Sequence, residues 1–269
     1  MTIGFITSKG GEGKSMISRM FCTFINYDAV EIPIILIDAD VQDSQGTKRQ
    51  SDLLRIQNKF YGERHWLTRK LQQLLDKDGR LYDIIRIPEP KSGQGNNRAF
   101  ADLVTALDFY DTHKQDALIV VDVAGNALSD NFQAVKPHLD YLFIPVSLGE
   151  DARNVFHSNL ELIYETRETY RRLKGVYAFF NRYQKNRAVH FEKLREQVLA
   201  EEAARQLGIE FLENHIVETS ILNNSSLVSS LVINACNTLV PHTSYYDLGI
   251  DRFALEVMEK SYFKQYQLQ

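Results

Sequence analysis

Apolar runs that scarcely alternate, set between segments of helical period, constrain the fold of this chain more than any other feature. The runs are TIGFIT, IPIILID, LYDIIRI, ALIVVDV, YLFIPV, GVYAFF and, least apolar of them, GIEFLEN. A strand that is apolar at nearly every position must be covered on both faces, and strands of that kind belong to parallel sheets. Between them lie stretches such as NVFHSNLELIYETRETYRRL and AVHFEKLREQVLAEEAARQL, whose apolar residues recur at helical spacing. The expected architecture is therefore α/β, a twisted, mostly parallel sheet sandwiched between helices. IPEPKSGQGNNR carries two prolines and two glycines and reads as a loop, too short to separate domains. With no internal repeat, residues 1–269 are expected to form a single domain with a helical C-terminal end.

Composition excludes several classes. Cys22 and Cys236 stand far apart without a CxxC pair, so neither a disulfide framework nor a zinc site is indicated, and a reducing, cytoplasmic location fits. No run approaches the roughly 18 apolar residues of a spanning helix. A formal charge of -4 argues against a uniformly basic nucleic-acid binder.

SKGGEGKS, Ser8 to Ser15, follows the first strand and precedes MISRMFCTFINY, in which Ile17, Met20, Phe21, Phe24 and Ile25 share a helical face. In a strand–loop–helix of this kind, backbone N–H groups of Gly11, Gly13, Lys14 and Ser15 can converge on phosphate oxygens, and the helix N-terminus adds partial positive charge. Lys14 would reach the β- and γ-phosphates and Ser15 would offer its hydroxyl to Mg²⁺. The general pattern GxxxxGK[ST] fails at its first position, which is Ser8.

The variant present, KGGxGK[ST] over Lys9 to Ser15, resembles the deviant Walker A motif of the ParA/MinD family of P-loop ATPases. The resemblance implies an ATP- and Mg²⁺-dependent homodimer in which Lys9 reaches the partner's nucleotide, with Lys9, Lys14 and Asp40 as catalytic residues. It implies nucleotide contacts from Gly10, Gly11, Gly13, Lys14, Ser15 and Met16. IILIDADVQDS is similar to the family's second element: Asp40 positions the attacking water and Asp38 supports the Mg²⁺ shell, while Val41 replaces the usual proline. ALIVVDVAG resembles a Walker B strand, with Asp122 holding Mg²⁺ through water and Gly125 offering its N–H to the γ-phosphate. Asn181, after GVYAFF, stands where the family pairs an asparagine with adenine, and Asn-Arg-Tyr-Gln lacks the acidic residue of a guanine site, so ATP is favoured over GTP.

Charge is distributed unevenly. From Arg167 to Glu196 nine basic residues face three acidic ones, a net +6, whereas Gln197 to Gln269 has four basic and nine acidic, a net -5. Arg171, Arg172 and Lys174 are expected to end one helix and Lys185, Arg187, Lys193 and Arg195 to begin or line the next, together forming a continuous basic surface for non-specific DNA binding. Arg171, Arg172, Lys185 and Arg187 are the chief candidates. The resemblance is to the small form of the family, which partitions or positions DNA or another large cargo with a separate cargo-binding partner. Two alternatives are a membrane-surface positioning ATPase resembling MinD and a metabolic ATPase resembling the nitrogenase iron protein. The acidic C-terminal segment disfavours the first, as anionic lipid selects basic helices, and the position of Cys22 disfavours the second. Phe253, Val257, Tyr262 and Phe263 of the terminal helix are expected to pack inward.

Overall fold

In a computed structural model the structure describes residues 1–7, 13–25, 32–39, 83–86, 104–109, 112–113, 116–123, 130–149, 151–218 and 248–263, some of them by backbone alone. Among the described residues eight strands form the sheet: β1 (Thr2–Phe5), β2 (Ile34–Ala39), β3 (Asp83–Arg86), β4 (Leu118–Val123), β5 (Tyr141–Val146), β6 (Gly175–Tyr183), β7 (Glu210–Phe211) and β8 (Ile216–Val217). Their order is β3-β2-β4-β1-β5-β6-β7, with β8 also on β6, and every described pairing is parallel. The chain moves from β1 outward through β2 to β3, returns to β4 beside β1, then proceeds to β5 on β1's other side. That reversal creates a crevice at the C-terminal ends of the central strands, where open α/β sheets bind ligands.

The expected strands are all present, and the parallel sheet explains why they scarcely alternate: each face carries its own core. On one face Phe21, Leu36, Leu118, Val120 and Phe253 pack around Phe5, under α1 (Lys14–Phe24) and α6 (Ile250–Met258). On the other, Ile37, Val121, Phe156, Leu160 and Phe191 pack under α2 (Asp130–Val135), α3 (Ala152–Glu165), α4 (Ala188–Leu199) and α5 (Glu202–Gln206). Phe5 is the hub of the first core, its ring centroid 5.7 Å from Phe21, 5.8 Å from Phe143, 6.3 Å from Phe179 and 6.2 Å from Phe253. Truncating such a residue to alanine typically costs about 3–5 kcal/mol.

Both long helical expectations are broken by local chemistry. α3 stops at Glu165 and a tighter turn, Arg167–Thr169, follows. Thr166 Oγ1 donates to the Leu162 carbonyl at 2.6 Å and Thr169 Oγ1 to the Thr166 carbonyl at 2.6 Å, bonds that compete with helix propagation. Arg171, Arg172 and Lys174 therefore lie in the connection to β6 and not on a helix. The second stretch divides at Glu201, whose backbone is extended (φ -71°, ψ 142°). Its carboxylate reaches across to His157 Nδ1 at 2.7 Å and Arg153 Nε at 3.6 Å on α3, a tertiary tie that outweighs the helical period.

The C-terminal helix is built into the molecule. Its Phe253, Val257 and Tyr262 are buried as expected, whereas the Phe263 side chain lies outside the described residues. Gly249 caps α6 at φ +71°, and a Cβ there would stand 2.6 Å from the His215 carbonyl oxygen. The Glu256 carboxylate accepts the N–H groups of Glu213 and Asn214, each at 2.8 Å, and the Asn214 side-chain amide at 2.9 Å. Among the described residues no helix is long and apolar enough to cross a membrane.

Candidate functional site

The crevice is occupied by the start of α1. Gly13 caps that helix in the left-handed region (φ 82°, ψ 16°), where a side chain is strained, and it offers no side-chain cap to the first turn. The first turn contains no acidic residue, and it opens on Lys14, which is only 7% exposed. The N-terminus of a helix carries partial positive charge and Lys14 adds a full one, an arrangement that suits phosphate. Ser15 and Met16 follow, half-buried.

Beside this helix start, β4 carries Asp122, fully buried and three residues beyond Ile119 in the strand. Its register partners are Phe5, at the end of β1, and Asp38 on β2. Two aspartates thus stand side by side on adjacent strands, at the level where β1 leaves the sheet for the phosphate loop. The donor set of a serine hydroxyl and carboxylates is oxygen-only, as Mg²⁺ requires. Ser15, Asp38 and Asp122 therefore fit as the residues that would hold Mg²⁺, and Gly13, Lys14, Ser15 and Met16 as those around the nucleotide phosphates.

Asn181 is also brought here. It lies inside β6, not after it, because the short strand β8 extends the pairing: Asn181 faces Ile216 and Tyr183 faces Val217, with a register slip between them. The slip is taken up by Arg182, exposed and left-handed (φ 56°). Asn181 is fully buried, and a Cβ placed on Gly13 would stand 3.4 Å from its Nδ2 and 3.4 Å from Met16 Cε. Behind it Tyr183 packs on the His215 ring, centroids 3.7 Å apart, and burial pushes the His215 pKa down.

Lys9, Gly10, Gly11, Asp40 and Gly125 lie outside the described residues, and Asp38 is described by its backbone alone. The single basic surface is corrected. Arg171 and Arg172 precede β6 whereas Lys185 and Arg187 follow it, and the nine-residue strand holds the two pairs apart by roughly 25 Å. Arg172 and Lys174 are tied to Asp140, Nη2 to Oδ2 at 3.0 Å and Nζ to Oδ1 at 3.1 Å, while Arg171, Lys185 and Arg187 are exposed. Asp140 was not legible as a partner, since 32 residues separate it from Arg172. In retrospect, an aspartate just before YLFIPV and cations just before GVYAFF signal a pair if those strands are neighbours. A separate cavity of about 460 Å³ between α4, β7 and α6 includes Glu256 and Lys260 among its lining residues; the former is spent on the 213–214 backbone and the latter on Glu210, at 2.9 Å. The cavity's lining shares no residue with those around Gly13 and Asp122.

No family model matches the chain, and no curated protein matches it. Solved structures do. A chain of the MinC:MinD cell division protein complex of Aquifex aeolicus is 16% identical, with a TM-score of 0.57 over 97% of this chain and 96% of that one. A ParA family ATPase from Chlorobium tepidum TLS is 18% identical, with a TM-score of 0.55 over 94% and 98%. A plasmid partition protein from Borrelia burgdorferi bound to AMPPNP is 18% identical, with a TM-score of 0.53 over 84% and 88%. Sheet order and these matches define an α/β fold for this chain, a parallel sheet flanked by helices. Its fold is that of the ParA/MinD-type ATPases, consistent with the motifs at Lys9–Ser15 and Asp122.

Proposed function

We propose that the chain is an ATP-dependent dimerising switch with slow, partner-stimulated ATPase activity, used to partition or position DNA or another large cargo. The observation that supports it most is the convergence of Gly13, Lys14, Asp122 and Asn181, from three separate strand ends, on one crevice. Bound Mg²⁺ would neutralise phosphate charge as the terminal phosphoryl group departs. Lys14 binds the phosphates of its own nucleotide, and Lys9 those of the partner's. Ser15, Asp38 and Asp122 hold the metal; Asp40 orients the water. Replacing Asp40 by alanine removes a group that acts on the attacking water alone, so kcat should fall by about 10²–10⁴-fold with little change in ATP affinity. Hydrolysis at the parental rate by Asp40→Ala would place the catalytic carboxylate elsewhere.

For the cargo surface, Lys185 and Arg187 at one end of β6 and Arg171 and Arg172 at the other are the proposed phosphate contacts. DNA binding measured with ATP over a salt series should give a log-log slope of about -0.9 per phosphate neutralised. Because the pairs are separate, alanine at Lys185 and Arg187 and alanine at Arg171 and Arg172 should each flatten the slope by their own share. The membrane-surface alternative loses support, since the apolar side of α6 is spent on the core. Binding to acidic vesicles in preference to DNA would restore it.

A further inference from the structure

We propose that Asn181 is a positioning residue for the phosphate loop, holding Gly13 and the start of α1 in phosphate-binding geometry independently of any base. The inference rests on the nucleotide-site reading above and gives Asn181 a role beyond adenine recognition.

Gly13 and Asn181 are 168 residues apart in the chain, yet the missing Cβ of Gly13 points at the Asn181 amide, 3.4 Å away. That is van der Waals contact, so glycine is required there by its φ of +82° while the Asn181 amide packs directly against the face of Gly13 that a side chain would extend from. Asn181 is fully buried without a nucleotide in place, so protein groups already enclose its amide. Buried amides are retained where they are hydrogen-bonded and fix their surroundings. The backbone that aims it is also specialised. β6 slips register between Asn181 and Tyr183, Arg182 adopts a left-handed conformation, and β8 pins the far side through Asn181–Ile216 and Tyr183–Val217. The Glu218 N–H donates to the Tyr183 carbonyl at 2.9 Å, and the Gln184 side chain donates to the Glu218 carboxylate, locking the slip. Slips of this type re-aim a side chain beside functional sites. The result is a chain of contacts running from β8 through the end of β6 to Gly13, so that Asn181 is held against the start of α1.

A base contact and a loop support predict different losses. Calorimetric titration of the full chain with ATP, inosine triphosphate and inorganic tripolyphosphate, each with Mg²⁺, separates them. Asn181→Ala should weaken tripolyphosphate, which has no base, by about tenfold, and the two nucleotides by a similar factor. Asn181→Ser, which keeps a small polar group, should give an intermediate loss and serves if Asn181→Ala does not fold. Tripolyphosphate affinity unchanged in these variants, with the loss confined to ATP, would overturn the inference and return Asn181 to base recognition alone. A parent chain that binds neither ATP nor tripolyphosphate would overturn the nucleotide-site reading itself, and this inference with it.

Discussion

Two buried aspartates sit at opposite ends of the same sheet, in different surroundings. Asp140, just before β5, has a side chain 2% exposed and is satisfied from within: the Thr2 N–H donates to Oδ2 at 2.9 Å, and Arg172 and Lys174 supply positive charge at 3.0 and 3.1 Å. Asp122, at the end of β4, is placed beside the backbone of a second aspartate, Asp38, at the same register level. A carboxylate surrounded by its own chain's cations is a structural joint. A pair of aspartates in register on adjacent strands, close to a helix N-terminus that opens on a lysine, stands where the proposed nucleotide and Mg²⁺ would bring further charge. The difference separates what holds the sheet together from what works, and it can be tested at each end.

The largest effect is expected at the working end. Lys14→Ala removes the cation at the start of α1, and ATP affinity should fall by at least about a hundredfold, as for loss of a charge-assisted contact to phosphate, while the thermal midpoint hardly moves. At the other end the pattern reverses. Asp140→Ala strands the Thr2 N–H and two cations and should cost about 2 kcal/mol. That is below the 3–5 typical of broken buried pairs, because Arg172 and Lys174 are themselves partly exposed to solvent. ATP affinity, measured alongside denaturant unfolding, should stay at the parental value. If both variants lost both properties, the division between the ends would be wrong.

Lys136 sharpens the structural side. It is fully buried, with its ammonium bonded to Thr166 Oγ1 at 2.9 Å and set 5.0 Å from the Phe132 ring centroid and 5.6 Å from that of Tyr170. Burial lowers its pKa from 10.5. The unfolded chain therefore holds a proton that the folded chain gives up more easily. Stability lost at neutral pH through Lys136 is regained as pH rises from the lowered value towards 10.5. Lys136→Met should raise the thermal midpoint by a few degrees at pH 7, and the gain should shrink towards pH 10.

The smallest effect concerns the tie between α3 and α5. His157 places Nδ1 2.7 Å from Glu201 and Nε2 2.9 Å from Glu161, an arrangement that an imidazolium satisfies with two N–H donors and a neutral ring cannot. The hydrogen bond to Glu201 raises its pKa above 6.5. The stabilisation is therefore fully present below pH 6.5 and is lost as pH rises through the raised value. Since the ring is nearly half exposed, His157→Ala should cost only a few tenths of a kcal/mol at pH 6 and nothing at pH 9, by urea unfolding.

Much of this was legible in the sequence because it depends on local pattern. Apolar runs such as Ile34–Asp38 and Leu118–Asp122 reported strands covered on both faces, and each ended in an aspartate proposed for the site, the two in register. What escaped was set by distant contacts. β8 is two residues long, too short for any periodicity, yet it carries Asn181 into the interior of β6. The break before α5 depends on Glu201 meeting α3, and the threonine bonds that end α3 compete with a strong helical pattern. The basic segment looked continuous although GVYAFF was legible as a strand within it; what sequence does not show is that this strand runs on to Tyr183 and that Asp140 holds Arg172 and Lys174.

Lys9 carries the central claim, that nucleotide joins two copies of this chain. Sedimentation velocity of the parent chain with and without ATP and Mg²⁺, repeated for Lys9→Ala, tests it most directly. The account predicts a monomer that becomes a dimer on adding ATP, and a Lys9→Ala variant that binds ATP as the parent does yet stays monomeric. A Lys9→Ala dimer as tight as the parent's, or a parent that binds ATP without changing its sedimentation, would contradict it.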